Sequence, residues 1–167
     1  MEPIITTESH VHTAIKNDMG NRHPRILFAE DDHTIRSSVE NALQGAGYET
    51  VVCRDGLDLL DRIDSFFFPV SERNETFDLI IADLHLPVVS GMEILEGMQH
   101  IKGFPPMILI SPSDMDQTCQ DAERLGAAAI FKKPFEPGAL LSRVNHIFDG
   151  KEENFRQDRQ MRKVFQN

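Results

Sequence analysis

Acidic, hydroxyl and amine side chains follow four of the short apolar segments of this chain. In chain order they are Glu30–Asp31–Asp32, Asp83, Ser111 and Lys133. Several carboxylates in one cleft repel one another and need a cation, and oxygen-only ligands favour a hard ion such as Mg²⁺. A carboxylate can also attack phosphorus to give an aspartyl phosphate, and an ammonium, a hydroxyl donor and the metal stabilise the transferred charge. The set therefore indicates metal-assisted phosphoryl chemistry, provided that the fold brings the groups together.

Each of these groups also has an ordinary structural role. An acid after a strand is often a helix N-cap, and we expect Asp32 to be one. A serine after a strand is commonly a turn residue, and a lysine before a proline is usually solvated. The prediction of a site depends on the elements that position the four groups.

Five apolar runs of four residues are continuous rather than alternating. They are Ile26–Ala29, Thr50–Cys53, Leu79–Ala82, Met107–Ile110 and Ala128–Phe131. Continuous runs are typical of strands buried on both faces, as in a parallel sheet.

Helical periodicity fills the intervals between the runs. Ile35, Val39 and Leu43 fall on one face of a first helix, which Gly45 and Gly47 end. Apolar positions at Leu59–Ile63, Ile94–Met98 and Leu140–Phe148 indicate three more helices.

The fourth helix of the series is predicted from its start signal. Ser113 with Asp116 resembles a capping box, opening a helix that runs to Gly126, and Pro137 fits the first turn of the fifth helix. Five strands alternating with five helices predict a flavodoxin-like, doubly wound α/β fold with strand order 2-1-3-4-5. Ligands bind at the carboxyl ends of such strands, so the four groups are expected to meet at one edge.

The chain divides into three predicted regions. Residues 1–24 are polar and aperiodic and are expected to form a flexible leader, residues 25–148 a single domain, and residues 149–167 a charged tail with helix-supporting spacing. An insertion at about 66–76 includes Phe66–Phe68, which we expect to extend the second helix and pack inward rather than form an exposed patch.

Composition excludes several classes of function. The 167 residues carry a formal net charge of −10, whereas nucleic-acid and anionic-membrane binding need clustered Lys and Arg. No apolar run resembles a signal peptide or a membrane span, so a cytoplasmic protein is expected. Cys53 and Cys119 lack metal-site spacing and are interpreted as buried thiols.

The motifs together resemble a known family. They are Ile26-Leu27-Phe28-Ala29-Glu30-Asp31-Asp32, Asp83-Leu84-His85-Leu86-Pro87 with Ser90-Gly91, Ser111, and Lys133-Pro134-Phe135. In this order they resemble the response-regulator receiver domains of bacterial two-component systems, over about Arg25 to Phe148. The resemblance implies that Asp83 is the phosphoacceptor. It implies a Mg²⁺ or Mn²⁺ site formed by Asp83 and Asp31, by Glu30 directly or through water, and by the backbone carbonyl of His85.

The resemblance also implies roles for the hydroxyl and the amine. Ser111 would hydrogen-bond the phosphoryl oxygens and reorient on phosphorylation. Lys133 would pair with the phosphoryl group, with a cis bond to Pro134. The donor would be a phosphohistidine on a sensor histidine kinase or a histidine phosphotransfer protein.

Four positions are expected to tune or alter the switch. Pro112 stands where the family commonly has Ala or Gly, and it has no N–H to hold the phosphoryl group. Ile130 stands where the family often has a switch Tyr or Phe, so a coupled switch of Ser111 with an aromatic ring is not expected. His85 and Ser113 are expected to tune hydrolysis of the acyl phosphate, although a rim position with no role beyond its carbonyl is as good a reading of His85.

The main functional prediction is a single-domain response regulator that is not a conventional turnover enzyme. Its output would be a protein contact, through relay to a phosphotransfer protein, docking on a target or homodimerisation, with no direct nucleic-acid or membrane binding. One alternative is a receiver-like binding module that is never phosphorylated, which Pro112 favours. A haloacid-dehalogenase-like phosphatase is disfavoured, because its nucleophile ends the first strand. A flavodoxin is disfavoured, because acids after the first strand would repel the flavin phosphate.

Overall fold

The computed structural model describes residues 23–67 and 76–164, and within these ranges the sheet has five parallel strands. They are β1 (Arg25–Ala29), β2 (Glu49–Cys53), β3 (Leu79–Asp83), β4 (Met107–Ser111) and β5 (Ala129–Lys132). Their order in the sheet is β2-β1-β3-β4-β5, which confirms the predicted flavodoxin-like arrangement. Every residue of β3 and β4 is buried, as their uninterrupted apolar sequences predict.

Helices alternate with the strands along the described chain. They are α1 (His33–Gly45), α2 (Gly56–Phe67), α3 (Gly91–Met98), α4 (Asp116–Arg124) and α5 (Pro137–Val164). The start of α5 at Pro137 is confirmed. The centre of the predicted insertion and most of the predicted leader lie outside the described residues, as do the side chains of the Phe66–Phe68 segment.

The main hydrophobic cluster covers one face of the sheet. Leu27, Ala82 and Leu109 from the strands pack in it with side chains of α2, α3 and α4, which include Leu59, Ile63, Ile94, Leu95 and Ala122. Strand residues alternate between faces, so Phe28, Ile81 and Ile110 are buried on the opposite face. Residues on both faces of the sheet are therefore buried, and the predicted site residues lie at the carboxyl ends of its strands.

The first helix begins and ends as the sequence predicts. Asp32 is its N-cap and accepts hydrogen bonds from the backbone N–H groups of Thr34 (2.8 Å) and Ile35 (2.9 Å). At the other end, Gly47 has φ +90°, a conformation that glycine adopts without steric cost.

The capping box predicted for Ser113 and Asp116 is wrong. The helix α4 begins only at Asp116, its N-cap is Met115, and no side chain caps it. The carboxylate of Asp116 instead forms an ion pair with Lys132 of β5. A complete capping box of the same spacing lies at the start of α3, where the side chains of Ser90 and Glu93 each accept from the other residue's backbone N–H.

The residues Pro24–Leu141 form one compact unit, which contains the whole sheet and every site residue named above. A second unit includes the part of α5 from Ser142 onward. The backbone of α5 is helical through Val164, across the boundary predicted at 149, so the tail is helical where the structure describes it. None of the described helices is long and apolar enough to cross a membrane.

Candidate functional site

The ammonium group of Lys133 lies between carboxylates that come from two other strand ends. Its Nζ pairs with Oδ2 of Asp83 and lies 3.2 Å from Oε1 and 3.0 Å from Oε2 of Glu30. Glu30 follows β1, Asp83 ends β3 and Lys133 follows β5. The carboxyl edge of the sheet therefore brings together three of the four groups that the sequence places after separate strands.

The carboxylate of Asp83 is fixed by its own loop. Its Oδ1 accepts a hydrogen bond of 2.7 Å from the backbone N–H of His85. The start of α3 packs closely behind it, since a Cβ added to Gly91 would lie 2.5 Å from the Asp83 carbonyl oxygen. Only glycine fits at position 91, which gives the Ser90-Gly91 part of the motif a physical reason.

Three carboxylates form a cluster that fits a divalent cation. Glu30, Asp31 and Asp83 each offer one ligand oxygen, and these oxygens lie within 4.8 Å of one another. Oε2 of Glu30 is buried and has no hydrogen-bond partner among the described residues, although the Lys133 ammonium is near it. A hard oxygen-liganded ion such as Mg²⁺ would satisfy this atom and offset the mutual repulsion of the three acids.

Burial and charge pairing oppose each other in this cluster. Burial is the main reason that the pKa of Glu30 is raised to about 7, against the lowering effect of its hydrogen bonds with Lys133 and the backbone of Asp32. Burial alone would lower the pKa of Lys133, but the hydrogen bonds to Asp83 and Glu30 outweigh it, and the net pKa is raised. The ammonium therefore stays charged, and Glu30 is the carboxyl poised to ionise near neutrality.

The sequence predicts that the Ser111 hydroxyl belongs to the site. In the structure this hydroxyl does not contact the Asp83 carboxylate. Its Oγ donates to the carbonyl oxygen of Pro112 at 2.9 Å and lies 3.5 Å from the thiol sulfur of Cys119, which donates to it. Sequence reasoning interpreted Cys119 as a buried thiol, which is confirmed, but did not anticipate this contact. The contact depends on where α4 begins, which the sequence pattern misplaced.

The predicted tuning residues occupy different surroundings. The imidazole Nε2 of His85 lies 2.7 Å from the sulfur of Met115, a contact that the sequence did not signal. Ile130 packs against the main hydrophobic cluster, and Phe131 contacts the ring of Phe135 with centroids 5.8 Å apart. Ile130 is therefore a packing residue in this structure, and the absence of a coupled switch of Ser111 with an aromatic ring stays a prediction.

A cavity of about 480 Å³ opens beside the Lys133 side chain. Its wall includes Pro112 and Ser113 from the loop after β4, and Pro134 from the loop after β5. The peptide bond between Lys133 and Pro134 is cis, as the resemblance implies. The role of the His85 backbone carbonyl as a metal ligand stays a prediction.

Comparison with known proteins identifies the family. The model of the response regulator receiver domain matches residues 26–145. The chain therefore belongs to the response regulator receiver family, the domains that support phosphoryl-accepting signalling in two-component systems.

Two individual relatives illustrate the sequence similarity. The chain is 28% identical over 144 residues to the transcriptional activator protein PfeR of Pseudomonas aeruginosa, covering 86% of this chain and 42% of PfeR. It is 29% identical over 126 residues to the DNA-binding response regulator MtrA of Mycobacterium tuberculosis, covering 75% of this chain and 51% of MtrA. The chain thus spans about half the length of these curated relatives.

A solved structure confirms the fold. A CheY-like receiver domain protein from Methanospirillum hungatei JF-1 has a TM-score of 0.67 and 26% sequence identity to this chain. The match covers 80% of this chain and 99% of that one. The two chains are therefore similar over nearly the whole length of that receiver domain protein.

Proposed function

We propose that this protein accepts a phosphoryl group on Asp83 from a phosphohistidine of a sensor kinase or phosphotransfer protein, and that the transfer depends on Mg²⁺ or Mn²⁺. The observation that carries the proposal is the convergence of the Lys133 ammonium with the carboxylates of Glu30, Asp31 and Asp83 at one edge of the sheet. A structural ion pair needs one acid, whereas a phosphoryl site needs a nucleophile, metal ligands and a cation together.

The step is an in-line displacement at phosphorus. An oxygen of Asp83 forms the new P–O bond while the P–N bond of the donor histidine breaks, and the electron pair of that bond returns to the imidazole. The N–H of His85 holds one Asp83 oxygen at 2.7 Å and so fixes the direction of the carboxylate. Lys133 exchanges its contact with Asp83 for one with a phosphoryl oxygen.

The bound metal would neutralise charge on the phosphoryl group, held by Glu30, Asp31, Asp83 and the backbone carbonyl of His85. The burial of Glu30 and the closeness of its carboxylate oxygens to those of Asp31 and Asp83 support this assignment of the ligand set. Because Asp83 is regenerated when water hydrolyses the acyl phosphate or when the phosphoryl group passes to a phosphotransfer protein, we expect a phosphoacceptor rather than a conventional turnover enzyme. We expect Ser111 and the tuning positions Pro112 and Ser113 to act on the lifetime of that acyl phosphate.

The output we propose is a contact in the cytoplasm, made by the receiver domain, with another protein or with a second copy of this chain. The net charge of −10 supports protein contact over direct contact with nucleic acid. The relatives named as DNA-binding or as transcriptional activators are about twice as long as the matched region, so that activity is stated of those proteins only.

A second candidate is a receiver fold that binds partners without being phosphorylated. The specific observations in its favour are that Pro112 offers no N–H and that the Ser111 hydroxyl is bonded to Pro112 and Cys119. A haloacid-dehalogenase-like phosphatase has less support, because the proposed nucleophile, Asp83, ends β3 rather than β1.

Intact-protein mass spectrometry after incubation with acetyl phosphate tests the proposal. The wild type should gain one phosphoryl group with Mg²⁺ and none with a chelator, and Asp83→Asn should gain none under either condition. Asp114→Asn, which changes an exposed acid in the loop after β4, is the matched control and should behave as the wild type. Absence of an adduct on the wild type with Mg²⁺ present would favour the binding module.

A further inference from the structure

A buried thiol contacts the hydroxyl that the proposed chemistry requires. Cys119 lies in the first turns of α4, and its Sγ is 3.5 Å from Oγ of Ser111. Both residues are buried, and the serine hydroxyl donates its single proton to the Pro112 carbonyl at 2.9 Å. The Ser111 hydroxyl therefore accepts a hydrogen bond from the thiol, and its own O–H donates to the backbone.

The register of the sheet shows that this serine leaves the strand on the face opposite to Asp83. Asp83 pairs with Ile110, and Ser111 pairs with Lys132. Paired residues of parallel strands share a face and successive residues alternate, so Ser111 shares a face with Lys132. That face is the side of α4, because the Lys132 ammonium pairs with Asp116 in the first turn of that helix.

Two contacts must break before the Ser111 hydroxyl can donate to a group on Asp83. One is its bond to the Pro112 carbonyl, which lies in the adjoining peptide and is available to any serine in this rotamer. The other is the thiol of Cys119, which is specific to this chain and comes from a different element. A neutral hydrogen bond of this kind changes an equilibrium by roughly two- to tenfold.

We infer that Cys119 is a positioning residue that holds the Ser111 hydroxyl on the α4 side of the sheet and so opposes the phosphorylated state. This inference rests on the proposed phosphorylation of Asp83. The thiol acts through the serine and does not itself touch the phosphoryl group. Its effect is to set the fraction of molecules whose hydroxyl is free to turn toward Asp83.

Three substitutions separate the hydrogen bond from the packing of the thiol. Cys119→Ala and Cys119→Val both remove the donor, and valine fills the space of the thiol with a somewhat larger apolar side chain, which guards against effects of a cavity. Cys119→Ser keeps a donor at the same position. If the thiol acts only by packing, Cys119→Val should behave like the wild type. If the thiol positions Ser111, Cys119→Ser should behave like the wild type and Cys119→Val should not.

The first readout is the χ1 rotamer of Ser111, measured by NMR couplings in the unphosphorylated protein. We expect one rotamer in the wild type and Cys119→Ser, and averaging between rotamers in Cys119→Ala and Cys119→Val. One unchanged rotamer in all four proteins would overturn the inference. This readout does not depend on phosphorylation, so it tests the position of the serine separately from the proposed function.

The second readout is the affinity for beryllofluoride in the presence of Mg²⁺, with the affinity for Mg²⁺ alone as the control. The alanine and valine variants should bind beryllofluoride roughly two- to tenfold more tightly than the wild type and the serine variant. In a Ser111→Ala background the same substitutions should have no effect. Equal affinity in all Cys119 variants would overturn the inference, whereas failure of every protein, wild type included, to bind beryllofluoride would overturn the proposed function.

Discussion

Lys133 and Asp83 form an ion pair although the whole of β4 lies between their strands in the sheet. The contact is possible because Lys133 lies beyond the end of β5, where its long side chain can cross the carboxyl edge. Only 23% of that side chain is exposed, and the Glu30 side chain that it also meets is fully buried. The ammonium thus occupies the position in which it would contact a phosphoryl group on Asp83.

Removing this ammonium should destabilise the metal-free protein. In Lys133→Met the buried carboxylate of Glu30 loses its charged partner, and we expect the free energy of unfolding to fall by about 1–3 kcal/mol. Adding Mg²⁺ should restore more stability to this variant than to the wild type, because the cation replaces the lost positive charge. Urea unfolding with and without Mg²⁺ measures both effects.

Lys132→Met is the matched control, because its ion pair with Asp116 is largely exposed to solvent. Its free energy of unfolding should change by less than about 0.5 kcal/mol, with no dependence on Mg²⁺. Equal effects of the two substitutions would contradict the special role of Lys133.

Much of the site could be predicted because the strands are buried on both faces. Their uninterrupted apolar runs mark where each strand ends, and the topology of a parallel sheet then places Glu30, Asp83 and Lys133 at one edge. The N-cap role of Asp32 was also predictable, because its partners are two and three residues away in sequence.

The start of α4 could not be predicted in the same way. Ser113 and Asp116 match the spacing of a capping box as well as Ser90 and Glu93 do, but Asp116 has a competing partner, Lys132, on β5. A local pattern contains no information about that tertiary partner. The contact of Cys119 with Ser111 was missed for the same reason, since it depends on how α4 is placed.

The affinity for Mg²⁺ should rise with pH through neutrality. The metal needs an ionised Glu30, and the pKa of this carboxyl in the metal-free protein is raised to about 7. Below that value the carboxyl is protonated and a proton must leave before the metal binds. We expect a gain of roughly tenfold in affinity between about pH 6 and about pH 8, measured by titration calorimetry.

The variant Glu30→Gln tests this assignment. It should bind Mg²⁺ more weakly than the wild type, and most of the pH dependence over that interval should be lost. A pH dependence that persists in the glutamine variant would show that another group controls the metal.

Replacing Pro112 should lengthen the lifetime of the acyl phosphate. Alanine at this position supplies a backbone N–H that the proline lacks, and such a donor stabilises the charge of a phosphoryl group. We expect a longer half-life of phosphorylated Pro112→Ala, followed by intact mass after removal of acetyl phosphate. Pro137→Ala, which changes another residue of the same cavity wall, is the control and should leave the half-life unchanged. An unchanged half-life in Pro112→Ala would count against this effect of the proline.

A substitution of Val88 should stabilise the folded protein. Val88 has φ +71°, a region that β-branched residues rarely adopt, and the residue is 78% exposed, so little packing offsets the strain. We expect Val88→Asn to raise the free energy of unfolding by about 1 kcal/mol, because asparagine tolerates this conformation. Val88→Ile keeps the branched side chain and should give no gain in the same urea titration.

The central claim is that Asp83 is the phosphoacceptor, and peptide-level mapping tests it most directly. The wild type would be phosphorylated with acetyl phosphate and Mg²⁺, trapped with hydroxylamine, digested and analysed by tandem mass spectrometry. We predict that the hydroxamate left by this reaction is found at Asp83 and is absent from Asp83→Asn. Modification at another carboxylate, such as Asp31 or Glu30, with Asp83 unmodified, would contradict the account.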